Sequence, residues 1–254
     1  MSDESCVVVA GLGEVGKPLF QLASRHYRAI GVDIAPFTRE VHEVRVLHVC
    51  YPFQVQDFIG ETVRYIERFN PELTIINSTV AVGTTRHIAQ RTGATVVSSP
   101  VRGKHARMLD ELQHYTKFVG AMNPTAGQRA AKHFESMGLK TKVLSTPEAT
   151  ELAKLSETTY FGLMIAWAQE MERCCEKAGA DYEEIISFYD EIEFFPPVKY
   201  FPGVIGGHCV MPNIEILCKL TTSELLNAIQ NSNQMKIALE ASRKLGDVTP
   251  AVTV

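Results

Sequence analysis

Residues 6–20 read Cys6-Val7-Val8-Val9-Ala10-Gly11-Leu12-Gly13-Glu14-Val15-Gly16-Lys17-Pro18-Leu19-Phe20, and the fold is decided there. Five apolar residues without alternation describe a strand covered on both faces. The glycines then follow a G-x-G-x-x-G pattern into a helix-forming stretch, and Asp33 closes a second strand seventeen residues after Gly16. This order of strand, glycine turn, helix and acidic residue is a dinucleotide fingerprint. Gly11 permits the tight turn, Gly13 lets a pyrophosphate approach the backbone at the helix N-terminus, and Gly16 allows close packing of helix on strand. Asp33 can accept hydrogen bonds from both ribose hydroxyls and would repel a 2′-phosphate, and no Arg follows it immediately. NAD is therefore expected over NADP. Glu14, Val15, Tyr51, Pro52, Ser78 and Thr79 complete the candidate cofactor-binding set.

Outward from this stretch, short β-branched runs alternate with helical ones. The runs are Cys6 to Ala10, Ala29 to Asp33, Val44 to Cys50, Leu73 to Asn77, Ala94 to Ser98, Lys117 to Gly120 and Lys142 to Leu144. Such alternation predicts an α/β domain over residues 1–147, a Rossmann-like, doubly wound and mainly parallel sheet. From Pro147 the period changes. Glu148 to Ala178 lacks proline and is interrupted only by Gly162, so it predicts one long central helix. Asp181 to Ile192 and Ser223 to Leu245 read as further helices, separated by the Pro- and Gly-rich loop FFPPVKYFPGVIGGHCVMPN. Residues 148–254 are thus expected to form a helical domain for dimerisation and substrate.

Composition narrows the function. The 254 residues carry 25 Lys+Arg against 29 Asp+Glu, a formal charge of -4, so no basic field exists to attract nucleic acid or anionic lipid. The N-terminus is acidic where a signal peptide would be basic, and no apolar run approaches a membrane-spanning length. A cytoplasmic protein is expected, with no nucleic-acid or membrane partner. The six cysteines form no C-x-x-C pair and the eight histidines no pair at ligand spacing on one helix face, so free thiols and no metal are expected. Cys174-Cys175, and Trp167 with Phe161, Met164 and Met171, read as helix packing residues.

Four motifs in order, GLGEVGKPL, STVAVGTT, ELAKLSETTYFGLMIAWAQEMERCCEKAG and PGVIGGHC, span some 200 residues. Together they resemble the UDP-glucose/GDP-mannose dehydrogenase family. The resemblance implies an NAD-dependent dehydrogenase acting on the CH-OH group of a small molecule, a sugar nucleotide or a smaller hydroxylated metabolite. It also implies a homodimer through the long helix, residues 148–178. By the same resemblance Cys209 is the nucleophile that captures an aldehyde, Lys154 stabilises oxyanions, and Thr79 assists proton transfer through water. That chemistry is sound in itself: a thiolate adds to an aldehyde, the thiohemiacetal gives a second hydride to NAD, and water releases the acid. From the residues alone, the alternatives are a small buried hydrophobe for Cys209, a solvated helix position for Lys154 and a helix N-terminal hydroxyl for Thr79. His208, beside Cys209, is a contact candidate.

The pattern departs from the family at three positions. Thr158 stands four residues after Lys154 where Asn is usual, Asn213 four after Cys209 where a general-base Asp is usual, and Val101 after Ser99-Pro100 where Glu is usual. Asn213 cannot take a proton and the side chain of Val101 cannot hydrogen-bond, so the four-electron route is not expected unless a carboxylate such as Asp110 or Glu111 substitutes. The chain is read as a short, divergent member without room for a C-terminal nucleotide-binding domain. Two other readings compete: a β-hydroxyacid-type dehydrogenase using Lys154 without Cys209, and a regulatory protein that binds NAD without turnover.

Overall fold

The apolar runs pair into one seven-stranded sheet in the computed structural model, which describes residues 6–34, 38–103, 105–193, 198, 200–207 and 209–246. The strands are β1 (Cys6–Ala10), β2 (Arg28–Val32), β3 (Val44–Val49), β4 (Leu73–Ile76), β5 (Val96–Ser98), β6 (Lys117–Ala121) and β7 (Thr141–Leu144), in the order β2-β1-β3-β4-β5-β6-β7. All seven expected runs form strands. The first five are parallel, β6 joins β5 antiparallel with Ser98 opposite Gly120, and β7 runs parallel to β6. The sheet is therefore mainly parallel with one reversal.

Helices α1 (Gly16–Ala23), α2 (Phe58–Phe69), α3 (Thr84–Thr92), α4 (Met108–His114) and α5 (Pro124–Ser136) connect the strands. Side chains alternate across the sheet, so Val7, Val9, Val46, Ile75 and Val97 form one core with residues of α1, α4 and α5. Val8, Ala10, Leu47, Val49 and Ile76 form the other with residues of α2 and α3. Two-sided burial explains why these strands read as continuous apolar runs.

The chain divides into two compact units, residues 1–154 and 155–254, and the division falls within α6 (Pro147–Ala178), the long helix expected from its period. The second unit continues with α7 (Tyr182–Ser187), a 3-10 turn at Phe188–Glu191, α8 (Val210–Leu220) and α9 (Glu224–Gly246). Gly162 has a packing reason: a Cβ there would lie 2.7 Å from Val210 Cγ1 and 3.3 Å from Ile214 Cδ1, so α8 crosses α6 at its one glycine. Two local readings are corrected. The loop ends at Cys209 rather than Asn213, because Pro212 sits in the first turn of α8, where no backbone N–H is needed. Of the adjacent cysteines only Cys175 is buried; Cys174 is exposed. Among the described residues, no helix is long and apolar enough to cross a membrane, and no three His, Cys, Asp or Glu side chains gather as a metal site would require.

Candidate functional site

In the first unit the three fingerprint glycines have separable roles. Gly11 adopts a φ of +88°, donates its N–H to Val32 O at 2.8 Å, and would bring a Cβ within 2.6 Å of Tyr51 N. A Cβ on Gly16 would fall 1.7 Å from Gly11 O. Both are closed against backbone, whereas a Cβ on Gly13 would meet nothing within 4 Å. The turn is thus shaped by two glycines and left open at the third, as close approach of a phosphate to the N-terminus of α1 requires. Glu14 is exposed, Val15 is the residue before α1, and Asp33 is exposed immediately after β2. These residues fit a dinucleotide.

The ends of β3 and β4 are joined beside this turn. Ser78 Oγ donates to Tyr51 O at 2.6 Å, and the Tyr51 hydroxyl lies 2.5 Å from Thr62 Oγ1. Pro52 is exposed and Thr79 partly buried. Thr79 precedes α3 by five residues and the N-cap there is Gly83, so its hydroxyl does not cap that helix.

Lys154 is partly buried on α6, one turn after Glu151. The Glu151 carboxylate is 1% exposed and accepts from Gly83 N at 2.7 Å and Thr85 N at 2.9 Å. Burial raises its pKa against the lowering effect of those hydrogen bonds. Glu148 grips Arg86 through two hydrogen bonds of 2.6 and 3.0 Å. The start of α6 is thereby tied to the segment that follows Ser78-Thr79. At the start of β6 Lys117, 3% exposed, donates to Asn77 Oδ1 at 3.1 Å and Ser99 O at 2.5 Å. Burial lowers its pKa to about 7, and the charge of Lys154 adds to that effect. Glu148, Glu151, Asn77 and Lys117 escaped the sequence reading. Only the helical spacing of Glu148, Glu151 and Lys154 along one face could have pointed to two of them.

In the second unit Cys209 is partly buried at the N-cap of α8, and its carbonyl accepts from Asn213 N at 3.1 Å. Asn213 is 4% exposed and donates through Nδ2 to Thr158 Oγ1 at 2.9 Å, while that hydroxyl donates to Leu155 O. Two of the three departures, Thr158 and Asn213, are therefore partners. The loop before Cys209 is clamped by buried amides: Asn233 accepts from Ile205 N at 2.8 Å and donates to Ile205 O at 3.1 Å, and Gln169 donates to Gly203 O at 2.8 Å. His208 lies outside the described residues. Back in the first unit, Val101 is buried in the core, Asp110 is exposed, and Glu111 is held by Arg107 at 2.9 Å.

A family model described as the UDP-glucose/GDP-mannose dehydrogenase family, central domain, matches residues 148–235. Among curated relatives, an NDP-N-acetyl-D-galactosaminuronic acid dehydrogenase of Ralstonia solanacearum is 23% identical, over 82% of this chain and 63% of its own. The chain spans about three-fifths of the length of the first curated relatives it matches. Among solved structures, a UDP-D-ManNAc dehydrogenase from Pyrococcus horikoshii superposes with a TM-score of 0.80 at 21% identity, covering 93% of this chain and 70% of that one. A 3-hydroxyisobutyrate dehydrogenase from Mycobacterium tuberculosis superposes with a TM-score of 0.70 at 18% identity, covering 95% of this chain and 94% of that one. At these identities the structural likeness concerns the fold.

Proposed function

This chain belongs to the UDP-glucose/GDP-mannose dehydrogenase family, and on that premise we propose that it is an NAD-dependent oxidoreductase. Its substrate is an alcohol, a sugar nucleotide or a smaller hydroxylated metabolite. The observation that carries this reading is the glycine turn open only at Gly13, with Asp33 exposed at the end of the neighbouring strand. Bound NAD would supply the hydride acceptor. Gly13 and the N-terminus of α1 would receive its phosphates, and Asp33 its ribose hydroxyls.

The chain's own groups have distinct parts. Lys154 stabilises negative charge on the reacting oxygen, and Thr79 orients a water or hydroxyl. Cys209 serves as nucleophile toward a carbonyl, at a helix N-terminus that favours an anion. Asn213, with Thr158, offers a neutral amide where release of an acyl group from Cys209 would use a base. The product is then a carbonyl compound, or a thioester that persists on Cys209. The active species is a homodimer joined through α6.

A second reading is supported by the extent of the fold likeness to the Mycobacterium tuberculosis 3-hydroxyisobutyrate dehydrogenase, 94% of whose chain is matched. In that reading a β-hydroxyacid-type reaction uses Lys154 without Cys209. A screen of alcohols and aldehydes, read as NAD reduction, tests the enzyme assignment, and calorimetry with NADH tests the cofactor. Turnover that vanishes in Cys209→Ser favours the first reading, and turnover that survives favours the second. Absence of NADH binding at millimolar concentration overturns both.

A further inference from the structure

A cavity of about 400 Å³ opens at the amino-terminal ends of β3 and β4, the opposite end of those strands from the glycine turn, and the tail of α5 forms part of its wall. Three cations, Arg45, Arg129 and Lys132, line it against one carboxylate, Glu72, together with His26 and His133. Arg129 is 3.0 Å from that carboxylate. Nothing in the proposed oxidation uses these residues.

His133, in the lining, ends a chain of hydrogen bonds that begins at Lys117. Lys117 Nζ donates to the carbonyl Oδ1 of Asn77 at 3.1 Å, and Asn77 Nδ2, which can only donate, faces His48 Nδ1 at 3.1 Å. His48 Nδ1 therefore accepts, which places the ring hydrogen on Nε2. That hydrogen points at His133 Nε2, 2.9 Å away, which accepts in turn. The hydrogen of His133 is left on Nδ1, an atom that is buried and has no hydrogen-bond partner among the described residues. Burial holds both imidazoles neutral at pH 7, with His133 down to about 4 and Arg45 adding to the effect. This relay, from β6 through the residue after β4 and through β3 to α5, thus ends in an N–H donor with no acceptor among the described residues, on a residue that lines a cavity rimmed by positive charge. An uncompensated buried donor is rare in a folded protein and calls for an acceptor from outside.

We propose that this cavity binds a small phosphate-bearing metabolite, gripped by Arg45, Arg129 and Lys132, with the Nδ1–H of His133 as the innermost donor. Planar guanidinium groups suit phosphate oxygens, and the volume lies in the range of small-molecule sites. The site is separate from the glycine turn, so its occupancy does not depend on the cofactor assignment.

The test is a titration of the full chain with inorganic phosphate and pyrophosphate at constant ionic strength, read on the imidazole ¹⁵N and ¹H resonances. The expected result is a saturable shift of the His133 Nδ1–H signal, with pyrophosphate bound more tightly. Arg129→Gln and Lys132→Ala each weaken it about tenfold. Glu72→Gln, which removes the opposing carboxylate, strengthens it, an outcome that loss of folding cannot imitate. In Gly13→Asp, which places a carboxylate at the open side of the glycine turn, the His133 shift is unchanged. No movement of the His133 signal at tens of millimolar pyrophosphate overturns the proposal. So does binding that survives both rim substitutions, or that disappears in Gly13→Asp.

Discussion

The buried side-chain amide of Asn213 donates a 2.9 Å hydrogen bond to the hydroxyl of the partly buried Thr158, so two of the positions that differ from the family pattern are partners. A neutral pair occupies the place where a carboxylate would titrate. Once a substrate is found, the wild type is expected either to release a carbonyl compound with one NADH per substrate or to stall as a thioester on Cys209 after two hydride transfers, in both cases without free acid at a matching rate. Asn213→Asp introduces a base and should raise acyl release by about 10²- to 10⁴-fold. Two NADH per substrate from the wild type, with free acid and no adduct on Cys209 by mass spectrometry, contradicts this.

Gly13 and Gly16 differ in the space around them, and their alanine variants should part accordingly. Gly16→Ala sets a Cβ 1.7 Å from a backbone oxygen and is expected to destabilise the first unit by about 3 kcal/mol. Gly13→Ala meets no atom and should leave stability within about 0.5 kcal/mol of wild type, yet weaken NADH binding about tenfold or more. Urea unfolding and calorimetry on both variants check this.

Lys117 predicts a pH dependence whose sign follows from its depressed pKa. Between about pH 7 and the ordinary lysine value the unfolded chain binds the extra proton, so this residue's contribution to stability rises with pH. Below pH 7 both states are protonated and the contribution is flat. Cys50, pushed by burial up to about 12, acts in the opposite direction once unfolded thiols ionise. The difference in unfolding free energy between wild type and Lys117→Met should therefore grow by about 1–2 kcal/mol from pH 7 to 8.5. A difference that stays flat over that range refutes the assignment.

The lone tryptophan reports on assembly. Trp167 is 49% exposed on α6 in the single chain, and Phe161, on the same helix, is 47% exposed. These side chains do not complete the core of the unit they belong to, in contrast to the packing role read from the sequence. Light scattering is expected to give twice the 28.2 kDa chain mass, and dilution should shift the Trp167 emission to the red. Phe161→Glu should yield a monomer with unchanged helix content. A wild-type monomer at micromolar concentration contradicts the predicted interface.

Residues near one another in sequence announced most of the architecture. Val7 to Ala10 reads as a buried strand because two-faced burial demands an apolar run, and Gly11 to Gly16 reads as a phosphate turn because its spacing is local. The 32 residues of α6 carry their own period. A proline in a Gly-rich setting signals a loop, while the first turn of a helix admits one equally well, and Pro212 is the second case.

Sequence by itself determined the seven strands, the glycine turn and the long helix, since each depends on contacts within a few residues. Tertiary structure alone decided which polar groups meet: Asn213 with Thr158 across 55 positions, Glu151 with Gly83 across 68, His48 with His133 across 85. Periodicity reports whether a side chain faces inward, and carries no information on which distant donor it will find there. That pairing emerges only when strands and helices pack, because a buried polar group must then be satisfied by whatever the fold has brought beside it.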